Sequence, residues 1–428
     1  MSSTSASSTS STSPTASTNY YDSLETRAPA EREAALMAAL ATQVAHAQAH
    51  APGFAASLAG IDAASINTRA ALATLPLTRK GDLKDLQRAN LPLGGLNATP
   101  LRQLARIFMS PGPIYDPEGR RADYWRSARQ LYAAGFRAGE LVHNSFSYHL
   151  TPAGSMFESG AQKIGCTVIP AGVGQTEMQL QAIADLRPDG YVGTPSFLKI
   201  LLEKAAEMNS DVTSIKKALV GGEALPPSLR AWFKERGITV FQGYGTADLG
   251  NIAYESPALE GMIIDEEVIV EIVRPGTGDP LAEGEVGEVV VTTLNPDYPL
   301  IRLCTGDMSA VLAGPSPCGR TNMRIKGWLG RADQTTKIRG MFVHPSQVAQ
   351  IVKRHSEILK ARLVVEGSMA QDVMTLKVEV ADWTVNALQA AIADSIRDIT
   401  KLRGDVLFVM PGELPNDGKV IEDARSYV

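Results

Sequence analysis

The sequence predicts an α/β protein: a large N-terminal domain with mainly parallel sheets and a β-rich subdomain, then a small α+β C-terminal domain. Three observations carry that expectation. Between about 130 and 245 short apolar strands alternate with helices, after Gly261 strands follow one another closely, and from Ser346 a compact α+β pattern stands apart. Helix-length connections imply crossovers and parallel pairing, whereas closely spaced strands imply an antiparallel meander or barrel. At about 150 residues per domain, 428 residues suit two to three domains.

Residues 2–18 are almost all Ser, Thr, Ala and Pro, with neither the basic start nor the apolar centre of a secretory signal. Such a segment buries too little apolar surface to offset its ordering entropy, so 1–19 is expected to be a disordered tail. Ala30 to His50 is rich in strong helix formers and follows Pro29, which suits a first helical position. His46 and His50 share a face of that helix, but position 47 is Ala rather than the Glu of a zinc-protease motif and no third ligand is near, so a plain helix surface is expected. A helical run to Ile164 then leads into strands expected at Cys166 to Pro170, Tyr191 to Gly193, Ala218 to Gly221 and Ile238 to Phe241. Helices from Glu177, Phe197 and Pro226 separate them. Met262 to Val273 and Val286 to Thr293 read as long strands of the β-rich part. The last unit reads as a helix from Ser346, strands at Ala361 to Val365 and Thr375 to Val380, a helix from Val385 to Lys401, and a strand at Asp405 to Met410.

Composition excludes several classes of function. Lys plus Arg (41) against Asp plus Glu (46) leaves a formal charge of -5, so no broad basic surface faces nucleic acid. No run approaches the ~20 apolar residues of a membrane helix. Three cysteines without a C-x-x-C pair argue against a disulfide scaffold or structural zinc and fit a reducing, cytoplasmic setting.

Two glycine patterns fail on inspection. Gly172-Val-Gly174-Gln-Thr-Glu177 places an acid where a dinucleotide fingerprint needs its third glycine, and Gly412 to Lys419 is one residue too long for a Walker loop, with Val420 in place of the metal-binding hydroxyl. Four other segments are informative together. Gln242-Gly-Tyr244-Gly-Thr246-Ala-Asp248 follows a strand, with glycines for close backbone approach, a ring to stack and a carboxylate for a hard cation; a simple strand-to-turn junction explains it equally well. Thr305-Gly-Asp307 offers a carboxylate to ribose hydroxyls, or an Asx turn. Gly330-Arg331-Ala-Asp333 to Lys337-Ile-Arg339-Gly340 sits between the last two units, and Leu414 to Lys419 presents a lysine on a Gly turn.

The order and spacing of these segments resemble the adenylate-forming enzymes, and within them the phenylacetate-CoA ligases. Leu75-Pro-Leu-Thr-Arg-Lys80-Gly-Asp-Leu, Val142-His-Asn, Gly174-Gln-Thr-Glu177, Thr194-Pro-Ser196, Gly221-Gly-Glu223 and Val343-His-Pro-Ser-Gln347 extend the resemblance from about Tyr20 to the C-terminus. It implies an aryl-acid-CoA ligase using ATP, Mg2+ and CoA, in which a carboxylate attacks the α-phosphate of ATP and the CoA thiol then displaces AMP. Gly222, Glu223 and Ala224 would lie beside adenine, Tyr244, Gly245 and Thr246 around adenine and the α-phosphate, Asp307 on ribose and Asp248 on magnesium. Arg331 would touch nucleotide, Asp333 would be the hinge between domains 20–332 and 333–428, and Lys419 on the mobile C-terminal domain would bridge carboxylate and α-phosphate. Phe146, Tyr148, His149 and Gly154 fall where the family lines its acyl cavity, although core packing explains them equally well.

One segment departs from the family. Its Ser/Thr/Gly-rich phosphate loop corresponds to Ser110-Pro-Gly-Pro-Ile-Tyr-Asp-Pro117, which keeps only Ser110, Gly112 and Pro117, replaces donors with prolines and adds Asp116 beside the pyrophosphate position. Asp248 likewise replaces the usual Glu. Two alternatives therefore stay open: an acyl-adenylate-forming enzyme that loads a carrier protein, and a non-catalytic binder of nucleotide or aromatic acid. The expected partners are an aromatic carboxylic acid, ATP and CoA, with a homodimer left open.

Overall fold

The computed structural model describes residues 19–425, apart from 111–112, 224, 335, 339–340, 368–371, 382–385 and 416–418. Of the expected tail only Asn19 falls among the described residues.

The largest sheet changes character halfway across. Thr167–Pro170, Leu141–Asn144, Gly190–Gly193, Lys217–Val220 and the first half of Thr239–Thr246 pair in parallel, joined by the helices Ala153–Ile164, Thr176–Leu186, Pro195–Met208 and Pro227–Glu235. Gly250–Glu255, Met262–Ile264, Arg324–Ile325 and Val311–Leu312 continue the sheet antiparallel. A second sheet orders Thr78–Arg79, Leu303–Ser309, Gly287–Thr293 and Val268–Val273. It shares a core with helix Pro29–His50 through Leu36, Leu40, Val44, Ile269, Val289 and Leu303. Residues from Ile338 onward enclose a separate core, in which Pro345–Arg354 and Asn386–Thr400 cover a sheet ordered Asp405–Val409, Val373–Val380, Ile358–Glu366 and Ile421–Asp423. Among the described residues no helix is long and apolar enough to cross a membrane.

Two expected strands are corrected. The single strand from Met262 to Val273 is two, Met262–Ile264 and Val268–Val273, in different sheets. Its apolar flanks hide an interruption by three acids, each claimed by arginine: Asp265 by Arg126 at 3.3 Å, Glu266 by Arg32 at 2.8 Å and Glu267 by Arg121 at 3.3 Å. The strand expected to end at Phe241 continues through Thr246, because beyond Gln242 it leaves its parallel neighbour and pairs antiparallel with Gly250–Glu255. The Tyr244 motif is therefore strand from Gln242 to Thr246 and turn at Ala247 and Asp248. His46 lies at the helix surface, its Nε2 2.8 Å from the Pro296 carbonyl.

The chain just after the tail is tied down by charge. Glu25 is fully buried and accepts hydrogen bonds from Arg320 Nε at 2.8 Å and the Tyr254 hydroxyl at 2.7 Å.

Candidate active site

A cleft of about 330 Å³ opens where the parallel strands end, lined by Gly222, Glu223, Gln242, Tyr244, Asp307 and Trp328 among others. Ligand sites in such sheets lie at this carboxyl edge. Asp307, on Leu303–Ser309, is held from three directions. The Tyr244 hydroxyl donates to Oδ2 at 2.9 Å, Trp328 Nε1 donates to Oδ1 at 3.0 Å, and Arg331 lies 3.3 Å from Oδ1. Burial, reinforced by the Asp307 charge, raises the Tyr244 hydroxyl well above its ordinary pKa, so it stays a donor. Glu223 is exposed; its carbonyl accepts from Gln242 Nε2 at 3.0 Å, and its carboxylate accepts from the Ser196 amide at 3.3 Å. Ala224 lies outside the described residues. The two glycines of the Tyr244 motif answer to packing: a Cβ on Gly243 would meet Gln130 Oε1 at 2.2 Å, and one on Gly245 the Gly250 carbonyl at 2.4 Å.

The region around Ser110 and Asp248 is built differently. Arg106–Ser110 and Ile114–Glu118 form a hairpin that sets Phe108 opposite Asp116. Gly112 lies outside the described residues, while the buried Ser110 hydroxyl donates to the Ile114 carbonyl at 3.3 Å. Asp116 is 0 % exposed, and neither carboxylate oxygen accepts a hydrogen bond. Burial and the nearby Asp248 charge push it up to about 7. Asp248 is also buried; it accepts from the Thr246 hydroxyl, and its Oδ2 lies 3.1 Å from Lys80 Nζ. Two buried carboxylates facing one lysine are short of positive charge, so the donor set fits a hard cation such as Mg2+. Sequence reasoning gave Lys80 no role although it lay within a quoted motif.

A second cavity of about 220 Å³ shares Gly222, Gly243, Tyr244 and Gly245 with the first and is walled by Phe146, Phe157, Met156 and Ala153. The two phenyl rings stack 4.7 Å apart at 11°. Only Phe146 of the four expected acyl-cavity residues lines it. Tyr148 and His149 are exposed, and Gly154 packs beneath Tyr148, where a Cβ would meet that ring at 2.8 Å. Buried Asn144 ties the two together, its Nδ2 donating to the Tyr148 hydroxyl at 2.8 Å and the Gly154 carbonyl at 2.9 Å. Beneath this loop, Gln179 Nε2 donates to the Gly172 and Gly174 carbonyls, which leaves Oε1 to accept from Ser145 at 2.9 Å and His143 Nε2 at 2.8 Å. His143 thus carries its proton on Nε2, and burial lowers its pKa.

Lys419 is exposed, between a loop whose Leu414 and Pro415 carbonyls accept from Lys360 Nζ at 3.1 and 3.0 Å and the strand Ile421–Asp423. The next residue, Val420, donates its amide to Gln334 Oε1 at 2.6 Å. Asp333 lies on the same 3-10 turn, Ala332–Gln334; its side chain lies outside the described residues.

The AMP-binding enzyme family model matches residues 145–295. A phenylacetate-coenzyme A ligase of Thermus thermophilus is 31% identical over 394 residues, covering 83% of this chain and 87% of that protein. One from Escherichia coli is 30% identical over 436 residues, covering 95% and 98%. Among solved structures, an open conformation of 2-hydroxyisobutyryl-CoA ligase with 2-HIB-AMP and CoA has a TM-score of 0.83 at 23% identity over 95% of each chain, a likeness of fold. The chain belongs to the phenylacetate-CoA ligase family of AMP-binding enzymes.

Proposed function

We propose that the protein is an ATP-dependent acid-thiol ligase that activates an aromatic carboxylic acid as its acyl-adenylate and then joins the acyl group to CoA. One observation carries this reading: the polar cleft at Asp307 and the phenyl-walled cavity at Phe146 share four residues. An acyl-adenylate is a nucleotide and an acyl group joined at one phosphate, and adjoining cavities of these characters suit its two halves.

In this reading Asp307, already oriented by its donors, accepts the ribose hydroxyls; Arg331 beside it contacts nucleotide. Gly222, Glu223 and Ala224 border the adenine, and Tyr244, Gly245 and Thr246 continue to the α-phosphate, with Ser110 and Gly112 beyond. Asp248 is the residue that would hold Mg2+, which supplies positive charge against the phosphates. Lys419 brings a cation to the oxygen where negative charge develops as the carboxylate attacks. Asp333 is the pivot between units 20–332 and 333–428. Phe146 and Phe157 face the aryl ring. Three free thiols, Cys166, Cys304 and Cys318, suit the cytoplasm.

The test is pyrophosphate release with ATP and Mg2+ over a panel of aryl and short aliphatic acids, with and without CoA. Aryl acids should give acid-dependent release and, with CoA, a thioester; Phe146→Ala should cut the preference for aryl over short acids by ~10-fold or more. Absence of turnover across the panel together with measurable AMP affinity would make the protein a non-catalytic binder. Release of pyrophosphate with transfer only to a carrier protein would replace CoA as acceptor.

A further inference from the structure

We propose that Asp116 is a second carboxylate ligand for the divalent cation at Asp248, so that this chain takes up the cation before any nucleotide arrives. The inference rests on the reading of the protein as an ATP-using ligase. Three buried oxygens on two segments lack hydrogen bonds: both Asp116 carboxylate oxygens and the Tyr298 hydroxyl, the latter within the fields of Asp116 and Asp248. An ionised buried carboxylate without a partner is strongly disfavoured, and a cation removes that cost. Lys80 supplies only one positive charge, spends it on Asp248 at 3.1 Å, and keeps its side chain 28% exposed, free to yield.

The donor chemistry selects the ion. Oxygen donors without His or Cys suit Mg2+ or Mn2+ rather than Zn2+. Two carboxylate ligands would leave positions for water and phosphate, as Mg2+ prefers. The arrangement also compensates the altered loop. Pro111, Pro113 and Pro117 offer no amide donors to pyrophosphate, so a cation fixed by the protein replaces hydrogen bonds that the loop does not supply.

Titrating the full chain with Mn2+ alone, free Mn2+ being read by electron paramagnetic resonance, should reveal one site. Asp116→Asn and Asp248→Asn should each weaken it at least tenfold, while Asp123→Asn, at a half-buried acid outside the cluster, should leave it within twofold. Asn is isosteric, at Asp116 it removes a charge without a hydrogen-bond partner, and a thermal melt verifies folding of each variant. Wild-type protein that binds no Mn2+ without nucleotide, or a folded Asp116→Asn that binds it normally, overturns the inference. Pyrophosphate release, measured separately, separates the two readings: if it is absent while the Asp116-dependent Mn2+ site persists, the ligase reading fails and the site stands.

Discussion

Asp307 and Asp116 are both buried carboxylates of one candidate site, yet the first is gripped by Tyr244, Trp328 and Arg331 while the second accepts no hydrogen bond. The difference separates two modes of preparation. A carboxylate held by donors is fixed in direction and can accept only from a ligand arriving along its remaining lone pairs, which is how a ribose is read. A carboxylate left without donors is a deficit that the polypeptide does not fill, and its natural complement is a mobile cation. On the proposed reading the nucleoside end is thus preorganised, and the phosphate end is short of positive charge.

The largest effect tests whether either carboxylate matters without the cation from the C-terminal unit. Lys419→Ala should lower pyrophosphate release by ~10²-fold or more, as loss of an oxyanion donor does, and spare CoA attack on supplied acyl-adenylate. Equal loss of both half-reactions would assign Lys419 to general binding instead. A smaller change sharpens the contrast itself. Asp307→Ala should weaken AMP roughly 10-fold and raise the KM for ATP, whereas Asp116→Asn should leave AMP affinity within twofold, since AMP carries no β- or γ-phosphate. Calorimetry that finds the two variants equally impaired with AMP would erase the distinction.

The smallest effect concerns the scaffold behind the acyl cavity. His143 is buried and its pKa lies below the ordinary value of 6.5. The unfolded chain therefore takes up a proton near pH 6.5 that the folded chain refuses, and stability is lost as pH falls below about 6.5, at no more than about 1.4 kcal/mol per pH unit from this group. Urea midpoints at pH 7.5 and 5.5 should draw together in His143→Gln relative to wild type. An unchanged gap would place the acid sensitivity at other groups, such as His344, whose pKa burial also lowers.

The residues legible in the sequence were those whose chemistry is local to a motif. Tyr244, Asp248 and Asp307 were visible because each sits among glycines and hydroxyls at the end of an apolar run, and the alternation of strand and helix disclosed the parallel half of the large sheet. What escaped depended on distant packing. Trp328 reaches Asp307 across 21 positions, and Phe157 stacks on Phe146 from the following helix, so neither announces itself in a window of sequence. Tyr148 and His149 misled because proximity along a loop says nothing of direction, and both are exposed. Asp116 was recognised as a departure, but its burial was hidden: an isolated Asp between Tyr and Pro reads as surface until a hairpin turns it inward.

The bond from the Val420 amide to Gln334 has a mechanical consequence. If the turn Ala332–Gln334 is the pivot, Lys419 stands beside the axle, one Cα step of about 3.8 Å from a residue bonded to it. Displacement scales with radius, so a rotation that sweeps the far rim of the C-terminal sheet through a wide arc barely translates the Lys419 backbone and chiefly swings its ammonium to a new bearing. The lysine would then work as a pointer on a hub, and its two functional positions would differ in heading far more than in place.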